Sequence, residues 1–176
     1  MSVKVFSAKL LPPDSVEKDE LYAILIKAYA DTENLMWGDQ YIRISKEDFE
    51  KFIRHDQLLV AYFNGKVAGG LRVYRIDKET FSFGAFGARF DLSGNGIGRA
   101  LIAEAERKAL HNGVHRMKIE ILRPASFEIP IKTKLHHWYS SLGYKLTDSV
   151  GFENLYPEKA RRLLTACVFD FYVKNL

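Results

Sequence analysis

Gly94, Gly96 and Gly98 alternate along Gly94-Asn95-Gly96-Ile97-Gly98-Arg99, between a strand-like run at 80–90 and a helix-like run starting near Ile97. A backbone that turns so tightly with so little side chain exposes its amides, and the partial positive charge of a helix N-terminus adds to them. The chemistry that suits such a turn is the binding of phosphate oxygens. Glycine spacing then narrows the ligand. A dinucleotide fingerprint fails because the sixth place is Arg99 counted from Gly94 and Leu101 counted from Gly96, and a P-loop fails because Gly98-Arg99-Ala100 stands where Gly-Lys-Ser/Thr is required. Glu120 lies about twenty residues beyond Gly98, where a ribose-binding acid would sit, but no second parallel half accompanies it.

Further along, Trp138-Tyr139-Ser140-Ser141-Leu142-Gly143-Tyr144 closes a helix-like segment on a glycine. The two segments, in this order and with a strand between them, resemble the motifs of the GNAT superfamily of N-acetyltransferases. The family's pyrophosphate loop, Arg/Gln-x-x-Gly-x-Gly/Ala, is matched by Ser93-Gly94-Asn95-Gly96-Ile97-Gly98, and its aromatic-Tyr-x-x-Leu-Gly-Phe/Tyr signature by 138–144. The resemblance covers roughly residues 57–149. Its departure is Ser93, which lacks the long donor-rich side chain of the family's first position and leaves most of the phosphate binding to the amides from Asn95 to Arg99.

That resemblance implies acetyl-CoA as co-substrate and direct transfer of its acetyl group to a primary amine of a small molecule or peptide. Ser93, Gly94, Asn95, Gly96, Ile97, Gly98 and Arg99 would then bind the pyrophosphate. Gly87, Ala88 and Arg89 would meet the pantetheine arm and thioester on the preceding strand. Gly84 and Gly87 there mark either a bulge that frees N–H donors for the tetrahedral oxygen or the packing of small residues against a helix. The resemblance places Tyr139 as general acid; a phenol with a pKa of about 10 can hydrogen-bond a developing thiolate while staying protonated. Its plainer role is an aromatic core anchor beside Trp138. Glu120 is the carboxylate placed by order to act as base, directly or through water, if burial raises its pKa. It is equally the wet face of a strand whose other face is Met117, Ile119 and Ile121. A non-catalytic acyl-CoA sensor or regulatory module is the alternative function.

These residues require a scaffold, and the hydrophobic pattern supplies one. Strands are predicted at 3–9, 57–63, 66–76, 80–90, 116–122, 144–149 and 163–174, with Asn64-Gly65 as a hairpin turn. Helices are predicted at 16–29, capped by Asp14 or Ser15, at 46–54, capped by Ser45, at 97–111 and at 132–142. The result is one α+β domain over 1–176. Its GNAT-like mixed, mostly antiparallel central sheet has about seven strands, flanked by about four helices.

The remaining loops, 30–44 and 151–162, border the expected thioester position. Trp37, Tyr41 and Tyr156, with Arg43 and Glu153, are the candidate walls of the acceptor site. Five histidines give no metal pair: His136 and His137 are adjacent on a helix, and Gly113 separates His111 from His115, so no metal is expected. Cys167 is the single cysteine, so no intrachain disulfide forms, and without an activating neighbour it is a packing residue rather than a nucleophile. The net charge of +4 comes from 26 basic residues scattered among 22 acidic ones, with no basic block for nucleic acid. No apolar run reaches membrane-spanning length and nothing near the start reads as a signal peptide, so the expectation is a cytoplasmic protein without membrane partners, with room for a homodimer.

Overall fold

A computed structural model describes residues 2–176. Its strands are β1 (Val3–Ser7), β2 (Leu58–Phe63), β3 (Lys66–Arg75), β4 (Phe81–Ala88), β5 (Arg116–Pro124), β6 (Lys145–Gly151) and β7 (Cys167–Asn175). They form one sheet in the order β1-β2-β3-β4-β5-β7-β6. All pairings are antiparallel except β4 with β5. The helices are α1 (Val16–Trp37), α2 (Lys46–Arg54), α3 (Ile97–His111), α4 (Pro130–Ser141) and two single turns, α5 (Phe152–Leu155) and α6 (Pro157–Ala160). Among the described residues, no helix is long and apolar enough to cross a membrane.

Local chemistry accounts for most boundaries. The Ser15 hydroxyl accepts the Lys18 amide and Ser45 accepts the Asp48 amide, so α1 and α2 start where a side-chain oxygen satisfies an orphan N–H. The tight Asn64-Gly65 turn joins β2 to β3, with both residues at positive φ. Helix α1 departs from expectation by continuing about two turns beyond Tyr29 to Trp37. Met36 and Trp37 are buried there, and that tertiary burial outweighs the weak helix preference of Asp31, Thr32 and Asn34. Only 38–45 is left as loop. The segment 151–162 is likewise not open loop but α5 and α6.

Apolar faces pack the sheet on both sides. Leu101, Ala105 and Ala109 of α3 with Tyr139 of α4 cover one face, and Leu21 and Leu25 of α1 with Phe49 and Ile53 of α2 cover the other. The feature that creates a site is the parallel seam. Strands β4 and β5 pair only through Phe81 with Met117 and Ser82 with Lys118. Beyond that point they diverge. Strand β4 spends three steps, Gly84 to Gly87, against two on β3, Arg72 to Gly70, which is a bulge with Ala85 at φ 44°.

Candidate active site

The divergence opens a cavity of about 460 Å³ between β4 and β5, walled by α1 and α4. Ala88 and Phe90 line one end of it, and the chain runs on from there into the glycine loop. A 3₁₀ turn, Phe90–Leu92, leads into it, and the Ser93 amide is bonded back to the Phe90 carbonyl at 3.0 Å. Gly94 and Gly96 have φ of 85° and 78°, a region that favours glycine. Gly96 caps α3 without any side-chain hydrogen bond, and the first helical bond is Ala100 N–H to Gly96 C=O. The amides of Ile97, Gly98 and Arg99 therefore lack helical acceptors and face outward at the positive end of a fifteen-residue helix. Asn95 differs from this group: its amide and its side chain both turn back to the Leu92 carbonyl, at 3.4 and 3.0 Å. Gly98 also permits a close approach. A Cβ there would meet Trp138 at 2.9 Å and Phe86 at 3.0 Å, two rings stacked 5.8 Å apart. This cradle suits a diphosphate.

The bulge forms the middle of the cavity. Gly84, Ala85, Phe86, Gly87 and Ala88 all line it. Gly87 serves bulge and packing together, since a Cβ there would come within 2.8 Å of the Ala28 Cβ on α1. Arg89 holds the ladder through its amide to Ala68, and its guanidinium pairs with Asp91 at 2.7 Å on the exposed side. The amides of Ala85 and Phe86 face the Tyr29 hydroxyl. Burial raises the Tyr29 phenol to about 12, helped by Glu33 and opposed by Arg43 and those two amides.

Tyr139 projects from α4 into the same cavity, 6% exposed, with its ring against Phe83 and Tyr144. Burial, with a smaller contribution from Tyr29, pushes its pKa well above that of a free phenol. It is therefore a persistent donor. Across the gap, Glu120 of β5 lines the wall. Water reaches its side chain, yet desolvation in the cleft raises its carboxyl above the ordinary value, against the pull of Arg43 and Lys118.

The three aromatic wall candidates lie apart from this centre. Trp37 is buried, stacked on Tyr41 at 4.4 Å and edge-on to Phe152, and neither it nor Tyr41 lines the cavity. Tyr156 stands at the rim on Phe152 and Phe169, close enough for Glu120 to raise its phenol further after desolvation. Burial and desolvation also raise the Cys167 thiol, to about 11, as fits a packing residue.

Residues that the sequence did not single out also line the site. Glu33 on α1 is buried and accepts Lys132 Nζ of α4 at 2.9 Å and Trp37 Nε1 at 3.1 Å, with Arg43 Nε at 3.5 Å. Tyr29, Glu33 and Trp37 share i, i+4 spacing, which would have signalled one helical face had α1 been read through to its end. Arg72 and Tyr74 line the cavity from β3.

Residues 19–129 match the Acetyltransferase (GNAT) family. The chain belongs to the GNAT acetyltransferase family. Among curated proteins none matches it. Solved structures similar to this GNAT chain include a GNAT family acetyltransferase from Elizabethkingia anophelis with acetyl-CoA bound, at 18% identity and TM-score 0.66 over 99% of this chain and 98% of that one. A ribosomal-protein-alanine N-acetyltransferase from Brucella melitensis aligns at 18% identity and TM-score 0.63 over 100% of both chains. A Drosophila melanogaster polyamine N-acetyltransferase that forms N-acetylagmatine aligns at 12% and 0.71 over 99% of this chain and 100% of that one. At such identities the likeness is one of fold.

Proposed function

We propose that this GNAT chain moves an acetyl group from acetyl-CoA directly to a primary amine. The observation that carries the reading is that the bulge of β4, Glu120 and Tyr139 line one cavity at a split parallel seam, while the unbonded amides at the start of α3 follow a few residues after Phe90 on its border. Family membership and a neighbour with acetyl-CoA bound support the acyl donor.

Acetyl-CoA, when bound, supplies an activated acyl carbon and a thiolate leaving group. The amides of Gly94, Gly96, Ile97, Gly98 and Arg99, with the Ser93 hydroxyl, hold its diphosphate, while Asn95 braces the turn from within. Gly87 and Ala88 guide the pantetheine arm, and Arg89 stands at its entrance. The Ala85 and Phe86 amides, preorganised by the bulge, stabilise negative charge on the carbonyl oxygen as the amine adds. For that oxygen to reach them, the Tyr29 hydroxyl yields its place. Glu120, directly or through water, takes the proton of the incoming ammonium, a task its raised pKa suits. Tyr139 donates a proton to the sulfur and is reprotonated through solvent, which takes up the second proton that the nitrogen sheds after it adds. One C–N bond forms and one C–S bond breaks, giving amide, free thiol and one proton released.

A thiol-release assay across a panel of amines and peptides tests this. Acceptor-dependent thiol release with a stoichiometric acetylated product is expected. Protein that binds acetyl-CoA yet turns over no acceptor would contradict the proposal and favour a sensor.

A further inference from the structure

Six charged side chains line the cavity: Asp31, Glu33, Arg43, Arg72, Glu120 and Lys132. Four are already committed. Glu33 pairs with Lys132 at 2.9 Å and with Arg43 at 3.5 Å, and Asp31 pairs with Lys27 at 2.8 Å. Arg72 and Glu120 are the two that make no ion pair among the described residues. They carry opposite charge and stand on the two strands that flank β4, Arg72 on β3 and Glu120 on β5. Nor do they compensate one another, since the charged groups acting on Glu120 are Arg43 and Lys118, and those acting on Arg72 are Tyr74, Asp48 and Tyr29.

Arg72 is held in a form suited to a ligand. Its guanidinium lies between Phe52, at 3.9 Å, and Tyr74, at 4.1 Å. Its Nε and Nη2 both donate to Gln57 Oε1, at 3.0 and 2.8 Å, which fixes the plane and leaves Nη1 and the second Nη2 hydrogen without acceptors. A planar pair of parallel N–H groups is the geometry that carboxylates bind bidentately. The two rings and Gln57 offset part of the cost of desolvating the guanidinium, and its charge is left without a neutralising anion.

Position then links the anion to the chemistry. Arg72 is the register partner of Gly84, the residue that opens the bulge. A Cβ on Gly84 would meet nothing within 4 Å, so the space above it is open. Arg72 therefore sits across from the residue that stands one and two positions before the Ala85 and Phe86 amides on β4. An ammonium drawn to Glu120 lies on the far side of β4 from Arg72. The cavity of about 460 Å³ must also take the acyl arm, which limits the acceptor to a small molecule.

We propose that the acceptor is a zwitterion, a free amino acid or similarly small amine acid, whose carboxylate is seated on Arg72 while its amine is directed to Glu120. This rests on the acyl-transfer reading above but is tested by binding, without turnover. N-acetyl-amino acids with aliphatic, aromatic, acidic and basic side chains, each matched with its C-terminal amide, are titrated calorimetrically into the full chain saturated with CoA. At least one acid is expected to bind about 10- to 100-fold more tightly than its amide, the range for a charge-assisted hydrogen bond. R72Q is expected to reduce that acid to the affinity of its amide while CoA affinity stays unchanged. R72K, which keeps charge without the fork or the stacked plane, is expected to fall between and serves as the variant if R72Q does not fold. Acids and amides binding alike, no acid binding at all, or an acid preference that survives in both variants would overturn the proposal. Carboxylate binding without turnover of the parent amino acid would reject acyl transfer and leave this site standing. Turnover of plain amines with no carboxylate preference would do the reverse.

Discussion

Replacing Glu33 by Gln probes the strut between α1 and α4. Both Glu33 oxygens are used: Oε1 accepts Lys132 Nζ, while Oε2 accepts Trp37 Nε1 and lies near Arg43 Nε. Gln offers one carbonyl, so its NH2 must face a donor on one side or the other. Lys132, with a side chain 9% exposed, then keeps a charge that water cannot solvate, whereas Arg43 at 25% is partly relieved. Removing one member of a buried pair costs about 3–5 kcal/mol. For a chain of this size that lowers Tm by roughly 6–20 °C, at about 2–4 °C per kcal/mol. Urea unfolding and scanning calorimetry measure it. The double variant Glu33→Gln/Lys132→Met removes the stranded charge, so it should recover about 2 kcal/mol or more relative to the sum of the singles. A single-variant loss under about 1 kcal/mol, or strict additivity in the cycle, would refute the argument that this buried network joins the two helices.

Tyr139→Phe should lower kcat roughly 100-fold, the lower end for a lost general acid, while acetyl-CoA affinity measured by calorimetry stays the same; an unchanged kcat would leave Tyr139 as a core ring only. For Glu120, the wild-type kcat/KM should rise with pH through a pKa above the ordinary carboxylate value, and Glu120→Gln should flatten that limb. The sign for stability follows from the same shift. A carboxyl whose folded pKa is raised stabilises the native state below its unfolded pKa of about 4.3 and loses that contribution as pH rises through the folded value. Glu120→Gln should therefore raise Tm at pH 7 and make no difference at pH 4; the opposite pH dependence would contradict the desolvation of this group. Gly98→Ala places a methyl against the Trp138 and Phe86 rings and should cost about 1–3 kcal/mol and weaken acetyl-CoA binding; a variant equal to wild type in both would mean the start of α3 is looser than its packing implies.

The elements legible in the sequence were those whose signals are local. Ser45 with a nine-residue amphipathic pattern marks α2, and the glycine run with Asn112-Gly113 brackets α3, so both were bounded as the structure has them. The end of α1 was not legible, because the polar run 31–34 masks two residues whose burial is set by β5 and α5, distant in sequence. The same mechanism hid the charges of the site. Glu33 and Lys132 are 99 positions apart, and nothing in the neighbourhood of either announces the other. Arg72 reads as one polar residue in an alternating strand. Only the sheet order, which puts β3 beside the bulge, turns it towards the cavity. The glycine loop and Tyr139 were legible as motifs, but their convergence depends on how far β4 and β5 part.

The most direct test of the account is titration calorimetry of acetyl-CoA and free CoA against the folded chain and against Gly96→Ala, whose φ of 78° an alanine adopts only under strain. Saturable one-site binding by the wild type, weakened in the variant, is the result the account predicts. No heat with either form of the cofactor, in protein shown to be folded, would contradict it.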